Sequence, residues 1–233
     1  MKNSNFKILS VIFSSLLLFS CSNGGDNFEA PEASFTGRII STATGKPVPG
    51  QEPNGARIRM YEGGKYNGKV PIDFWVTQSG AFVNKTLFSG TYKVIAEGPF
   101  QRADTLALNL ASSSSHDFSV TPFLELNVEI VQKKENAVVV KYKIDQSPEK
   151  RKILRRAVLV SNRPYVDITN FINSSPSPFI NTSNIPDSEL AGKEFVTEIT
   201  GLSKGVQYYV RSASRCDNPN SFYNYSEIIP FTL

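Results

Sequence analysis

Ala137-Val138-Val139-Val140-Lys141-Tyr142-Lys143-Ile144 decides the fold class. In an extended chain Val138, Val140, Tyr142 and Ile144 fall on one face, and Val139, Lys141 and Lys143 on the other. Period-two alternation of β-branched and aromatic residues marks a strand with one buried face; a helix would need a 3.6-residue period. The stretch before it, residues 123–131, repeats the pattern, with Leu124, Leu126, Val128 and Ile130 against Phe123, Glu125 and Asn127. Residues 153–161, 193–200, 206–215 and 226–233 supply further strands.

The chain toward the N-terminus is equally strand-like. Short alternating segments occupy residues 34–41, 56–62, 70–77, 80–86, 91–97, 104–110 and 116–121, separated by Gly, Pro, Asn and Ser. No amphipathic helix of useful length survives this punctuation, and only short turns are expected, near residues 186–191. The expected fold is all-β, with two tandem β-sandwich domains at residues 33–121 and 122–233. The link between them, Thr121-Pro122-Phe123, is too short to leave much freedom.

Phe35-Thr36-Gly37-Arg38-Ile39-Ile40-Ser41-Thr42-Ala43-Thr44-Gly45-Lys46-Pro47-Val48-Pro49-Gly50 resembles the opening of carboxypeptidase-regulatory-like, or transthyretin-like, domains. Thr77-Gln78-Ser79-Gly80-Ala81-Phe82, followed by Leu87-Phe88-Ser89-Gly90-Thr91-Tyr92-Lys93-Val94, resembles their later hairpin. Gly45 before Pro47 is a turn, Gly80 and Gly90 permit strand reversals, and Phe82 and Tyr92 then face inward. Leu202-Ser203-Lys204-Gly205-Val206-Gln207-Tyr208-Tyr209 resembles the corner before strand F of fibronectin-III or immunoglobulin-like domains, with Tyr208 capping a backbone group upstream. Both resemblances imply scaffolds, and so a fold without an activity.

The N-terminus sets the compartment. Lys2 and Lys7, an apolar run over residues 8–19 and Leu18-Phe19-Ser20-Cys21 resemble a bacterial lipoprotein signal. The run is too short to span a bilayer. Residues 1–20 read as the signal peptide and Cys21 as the lipid attachment site. Residues 21–32, polar and Gly-rich, read as a flexible tether. Two sandwiches behind such a signal resemble an uncharacterised family of Bacteroides-type outer-membrane lipoproteins associated with starch-utilisation-like systems. That resemblance implies a lipid-anchored protein of the outer membrane, at the cell surface, near polysaccharide capture and a transporter complex.

Loss of Lys2 and Lys7 with the signal lowers the 25 Lys and Arg by two, against 21 Asp and Glu, so the net charge falls from +4 to +2. Near balance argues against a nucleic-acid partner. The basic run Lys150-Arg151-Lys152 with Arg155 and Arg156 reads as a solvated strand edge in preference to an anion patch. With Cys21 committed to lipid, Cys216 has no partner for a disulfide and reads as a small residue at a strand end.

Catalysis, metals and cofactors find no support. His116, the one histidine, follows a run of four serines at a strand edge, with no nucleophile and acid argued beside it. No His or Cys spacing suits zinc, and Asp217-Asn218-Pro219-Asn220 reads as a turn before it reads as a calcium site. Binding is the better expectation, because sugar rings stack their C–H faces on aromatic planes. The candidate glycan-binding residues are Tyr61 and Tyr66 around a Gly-rich loop, Trp75, Tyr165 and Phe171 in the long connection over residues 162–192, and Tyr223. If Phe74 faces the core, Trp75 faces outward; the reverse, or burial of Trp75 at the domain junction, stands equally. The competing reading is a structural adaptor that docks on a partner transporter or binding protein, with an enzyme a distant third.

Overall fold

The computed structural model describes residues 30–64, 68–174 and 177–233, and Pro31–Leu233 forms one compact unit. The fold is all-β: two tandem β-sandwiches joined at residues 121–123. The expected signal peptide, Cys21, most of the expected tether and Tyr66 lie outside the described residues.

In the first sandwich, one sheet has the order β3 (Ile72–Trp75), β2 (Arg57–Glu62), β5 (Gly90–Glu97), β6 (Leu106–Leu110), all antiparallel. The facing sheet is built on β1 (Ala33–Ser41). It pairs antiparallel with β4 (Ala81–Leu87) and parallel with both β7 (Ser113–Ser115) and β8 (Phe118–Val120). Phe82 lies between Phe35 and Phe118, with centroids 5.3 and 6.0 Å away, and Ile58, Met60 and Val94 close the core from the other sheet. Phe82 and Tyr92 are both buried, as their alternation predicts. Gly37 lies opposite Phe82, and no larger residue fits there because a Cβ would meet the His116 carbonyl oxygen at 1.9 Å. Gly80 turns with φ +82°.

The second sandwich pairs β10 (Ala137–Gln146) with β9 (Leu124–Lys133) and β13 (Glu194–Thr200). Its other sheet runs β12 (Phe179–Asn181), β11 (Ile153–Ser161), β14 (Gln207–Cys216), with β15 (Asn224–Tyr225) and β16 (Ile229–Thr232) both paired to β14. Val138, Val140, Tyr142 and Ile144 all enter the core between the sheets. The Tyr208 hydroxyl accepts the Ser203 N–H at 2.9 Å, which is the corner the sequence suggests.

Two differences from the sequence reading have clear causes. The serine run forms β7, held by pairing to β1, so its propensity is overridden by register. The long connection contains the edge strand β12, and its 3₁₀ turn at Asp187–Glu189 falls where short turns are expected. Most consequential, β11 is buried on both faces: Val158 and Val160 join the sandwich core, while Ala157 and Leu159 form a third cluster with Val166, Ala213, Tyr223 and Tyr225. The connection after β11 folds back over the sheet to cover that face.

Candidate functional site

The third cluster borders the junction between the sandwiches, where Arg211 is fully buried. Strand register sets Arg211 opposite Leu159, so it shares the face covered by the connection. Its Nη1 donates to the carbonyl oxygens of Gly50 at 3.0 Å and Val166 at 2.9 Å, and its Nε and Nη2 donate to Ser226 at 3.2 and 2.9 Å. The guanidinium stacks over the Tyr225 ring at 4.3 Å. Burial lowers its pKa to about 10, so it stays charged at neutral pH. Burial likewise pushes the Tyr225 phenol up, and the hydroxyl stays a donor, to Gln51 Oε1 at 3.3 Å.

Gln78 crosses the junction beside Arg211. Its Oε1 accepts the Val166 N–H at 3.4 Å and its Nε2 reaches Asp167 Oδ2 at 3.5 Å, while its own N–H donates to Glu52 at 3.3 Å. Asp167 is buried and further satisfied by Thr169 and Asn170. Asn224 donates to the Pro99 carbonyl at 2.9 Å, and the Ser41 hydroxyl donates to Glu125. These hydrogen bonds across the boundary fix how the two sandwiches meet.

This frame shapes a cleft of about 630 Å³. Pro47, Pro49 and Glu52 of the first sandwich form one wall, Pro164, Tyr165, Glu227 and Ile228 of the second form the other, and Gln78 lies between them. Tyr165 lines the cleft and is 52% exposed. Arg211 joins the two walls through the carbonyls of Gly50 and Val166, and this buried cation has no counterpart in the sequence reading. Ala157-Val158-Leu159-Val160 has no polar alternation, which marks β11 as covered on both faces, but the burial of Arg211 there follows from its pairing opposite Leu159 and not from the sequence.

The other candidates among the described residues do not share this cleft. Trp75 is 36% exposed on the outer face of its sheet, with Arg57 at 5.9 Å from its ring, while Phe74 packs toward the core. Tyr61 lies under Arg59 at 5.9 Å and lines a separate cleft of about 400 Å³ with Arg102, Phe123 and Arg151. Phe171 packs edge-on against Phe179 at 5.5 Å and joins the third cluster. Tyr223 is a correction: it is buried beside Tyr225, at 6.2 Å, because the loop after β14 folds down over the outer face of the sheet. It offers no ring to a ligand.

The remaining chemistry is structural. Burial pushes the Cys216 thiol up, which removes the thiolate a nucleophile needs. His116 packs edge-on to Phe118 at 4.8 Å. Asn218 satisfies its own turn through Cys216 and Phe222. In the basic run, Arg151 pairs with Glu149 at 2.6 Å, Lys152 with Asp187 at 3.1 Å, and Arg156 stacks on Phe195 at 4.1 Å. No group of three or more metal-ligating side chains occurs among the described residues.

Residues 33–121 match the N-terminal domain of a protein of unknown function, DUF3823. Three solved structures share the fold over nearly the whole described chain. One is a Bacteroides uniformis protein named as a candidate carbohydrate binding protein (19% identity, 87% of this chain and 100% of that one, TM-score 0.73). The others are DUF3823 family proteins, from Bacteroides uniformis (23% identity, 87% and 100%, TM-score 0.73) and Parabacteroides merdae (19% identity, 88% and 100%, TM-score 0.70). No curated protein matches the sequence.

Proposed function

We propose that the chain is a member of the DUF3823 family and acts as a non-catalytic, lipid-anchored accessory in polysaccharide capture, holding glycan in the cleft between its two sandwiches. The observation that carries this reading is Tyr165, half exposed in the lining of a largely apolar cleft that also presents Gln78 and Glu52. A pyranose ring stacks its C–H face on such an aromatic plane, and the amide and carboxylate take its hydroxyls. The name of the Bacteroides uniformis relative supports the same ligand class. Lipidation at Cys21 would hold this cleft at the outer membrane and cell surface, beside a transporter of the starch-utilisation type. The first sandwich serves as a carboxypeptidase-regulatory-like scaffold and the second as a fibronectin-III-like one.

The adaptor reading draws on a different place. Val196 is 65% and Ile180 41% exposed, on the edge strands β13 and β12, where a partner protein could pack.

The test is retardation of the purified chain in gels containing each member of a polysaccharide panel, with the Tyr165→Ala variant beside it. Retention on one polymer, lost in a variant that remains folded, supports glycan capture. Absence of retention on every polymer favours the adaptor.

A further inference from the structure

We propose that the Tyr165 cleft selects uncharged or amine-bearing glycan and rejects chains carrying uronate or sulfate, with Glu52 and Glu227 setting the preference. This rests on the reading of the cleft as a glycan site and names its ligand class.

The two acidic residues are the charged side chains lining the cleft; no Lys or Arg is among its described lining residues. Glu52 is half-buried against the Gln78 N–H, at 3.3 Å. Glu227 lies 3.7 Å from Lys46, but both side chains are 70% exposed, so water and salt screen that pair. The one cation behind the walls, Arg211, has its donors occupied by the carbonyls of Gly50, Val166 and Ser226, and the buried Asp167 carboxylate opposes its charge. A carboxylate or sulfate entering the cleft would therefore meet Glu52 and Glu227 at its walls, and among the described residues the cation paired to those walls is Lys46, 3.7 Å from Glu227.

The opposite sign collects elsewhere. The separate cleft beside Tyr61 is lined by Arg59, Arg102 and Arg151; Arg59 pairs with Asp73 at 3.0 Å and Arg151 with Glu149 at 2.6 Å, which leaves Arg102 as its lining arginine with no ion pair among the described residues. An acidic chain would meet Arg102 there and the two glutamates at Tyr165. The two clefts thus make opposite predictions for the same change in ligand charge.

The probes are matched polymers: hydroxyethyl cellulose, carboxymethyl cellulose and chitosan, and starch with carboxymethyl starch. The full chain is run in affinity gels of each, at low and high salt. Where a neutral parent is retained, its carboxymethyl form should bind about tenfold more weakly at about 0.01 M salt, and the gap should close at about 1 M. Chitosan should bind at least as tightly as hydroxyethyl cellulose. The double variant Glu52→Gln, Glu227→Gln should bring neutral and carboxymethyl forms within about threefold of each other. Equal or tighter binding of the carboxymethyl form by the wild-type chain overturns the charge assignment. If that binding is lost in Tyr165→Ala, the glycan site stands and only its selectivity is wrong; if it is lost in Arg102→Ser, the ligand lies in the other cleft. Retention of none of the polymers removes the glycan reading and this inference together.

Discussion

The Nη1 of Arg211 lies 3.0 Å from the carbonyl oxygen of Gly50, 161 positions away in sequence, and 2.9 Å from that of Val166. One buried nitrogen thus ties together the two walls of the cleft. Replacing Arg211 with Met leaves three buried carbonyls without their donor, which should cost about 3 kcal/mol or more of stability. Arg211→Lys keeps the charge but not the fork, and should fall between the two. Chemical denaturation of the three proteins orders them.

Exposed and buried tyrosines should separate cleanly. Tyr165→Ala should change stability by less than about 0.5 kcal/mol while abolishing glycan retention. Tyr223→Ala opens the third cluster and should cost about 3 kcal/mol. Thermal melts and gel retardation on the same preparations check both.

Tyr208→Phe removes the hydroxyl that accepts the Ser203 N–H and nothing else. The loss should be about 1 kcal/mol, read from the shift in denaturation midpoint at an unchanged slope.

Acid should reveal the Arg38–Asp117 pair. Hydrogen bonding from Arg38 holds the Asp117 carboxyl below its ordinary value. A lowered native pKa means the unfolded chain binds the proton more readily. The pair's contribution is therefore complete above the unfolded value, about pH 4, and is lost as pH falls through the native one. Asp117→Asn should flatten the acid limb of the stability profile and leave its slope above pH 6 unchanged, as measured by denaturation across pH.

Much of the fold was legible because one-sided burial writes itself as alternation. Residues 137–144 are the plainest case, and β10 buries the side that the pattern names. β7 was not legible, because Ser113–Ser115 owes its strand to the neighbouring β1 and not to its own residues. The site was legible in part. Tyr165 stood out as an aromatic in a long connection, but its companions Pro47, Glu52 and Gln78 come from the other sandwich. Only the docking of the two domains brings them together, and nothing local in the chain encodes that. Tyr223 misled for the related reason that a loop folded onto a sheet looks, in sequence, like a loop in water.

The most direct test is retardation of the wild-type chain on its retained polysaccharide beside Tyr165→Ala, Tyr61→Ala and Trp75→Ala. The account predicts that Tyr165→Ala alone loses retention, with all four proteins equally folded by circular dichroism. Retention that survives Tyr165→Ala but disappears in Tyr61→Ala or Trp75→Ala would contradict it and move the ligand to the outer face of the first sandwich.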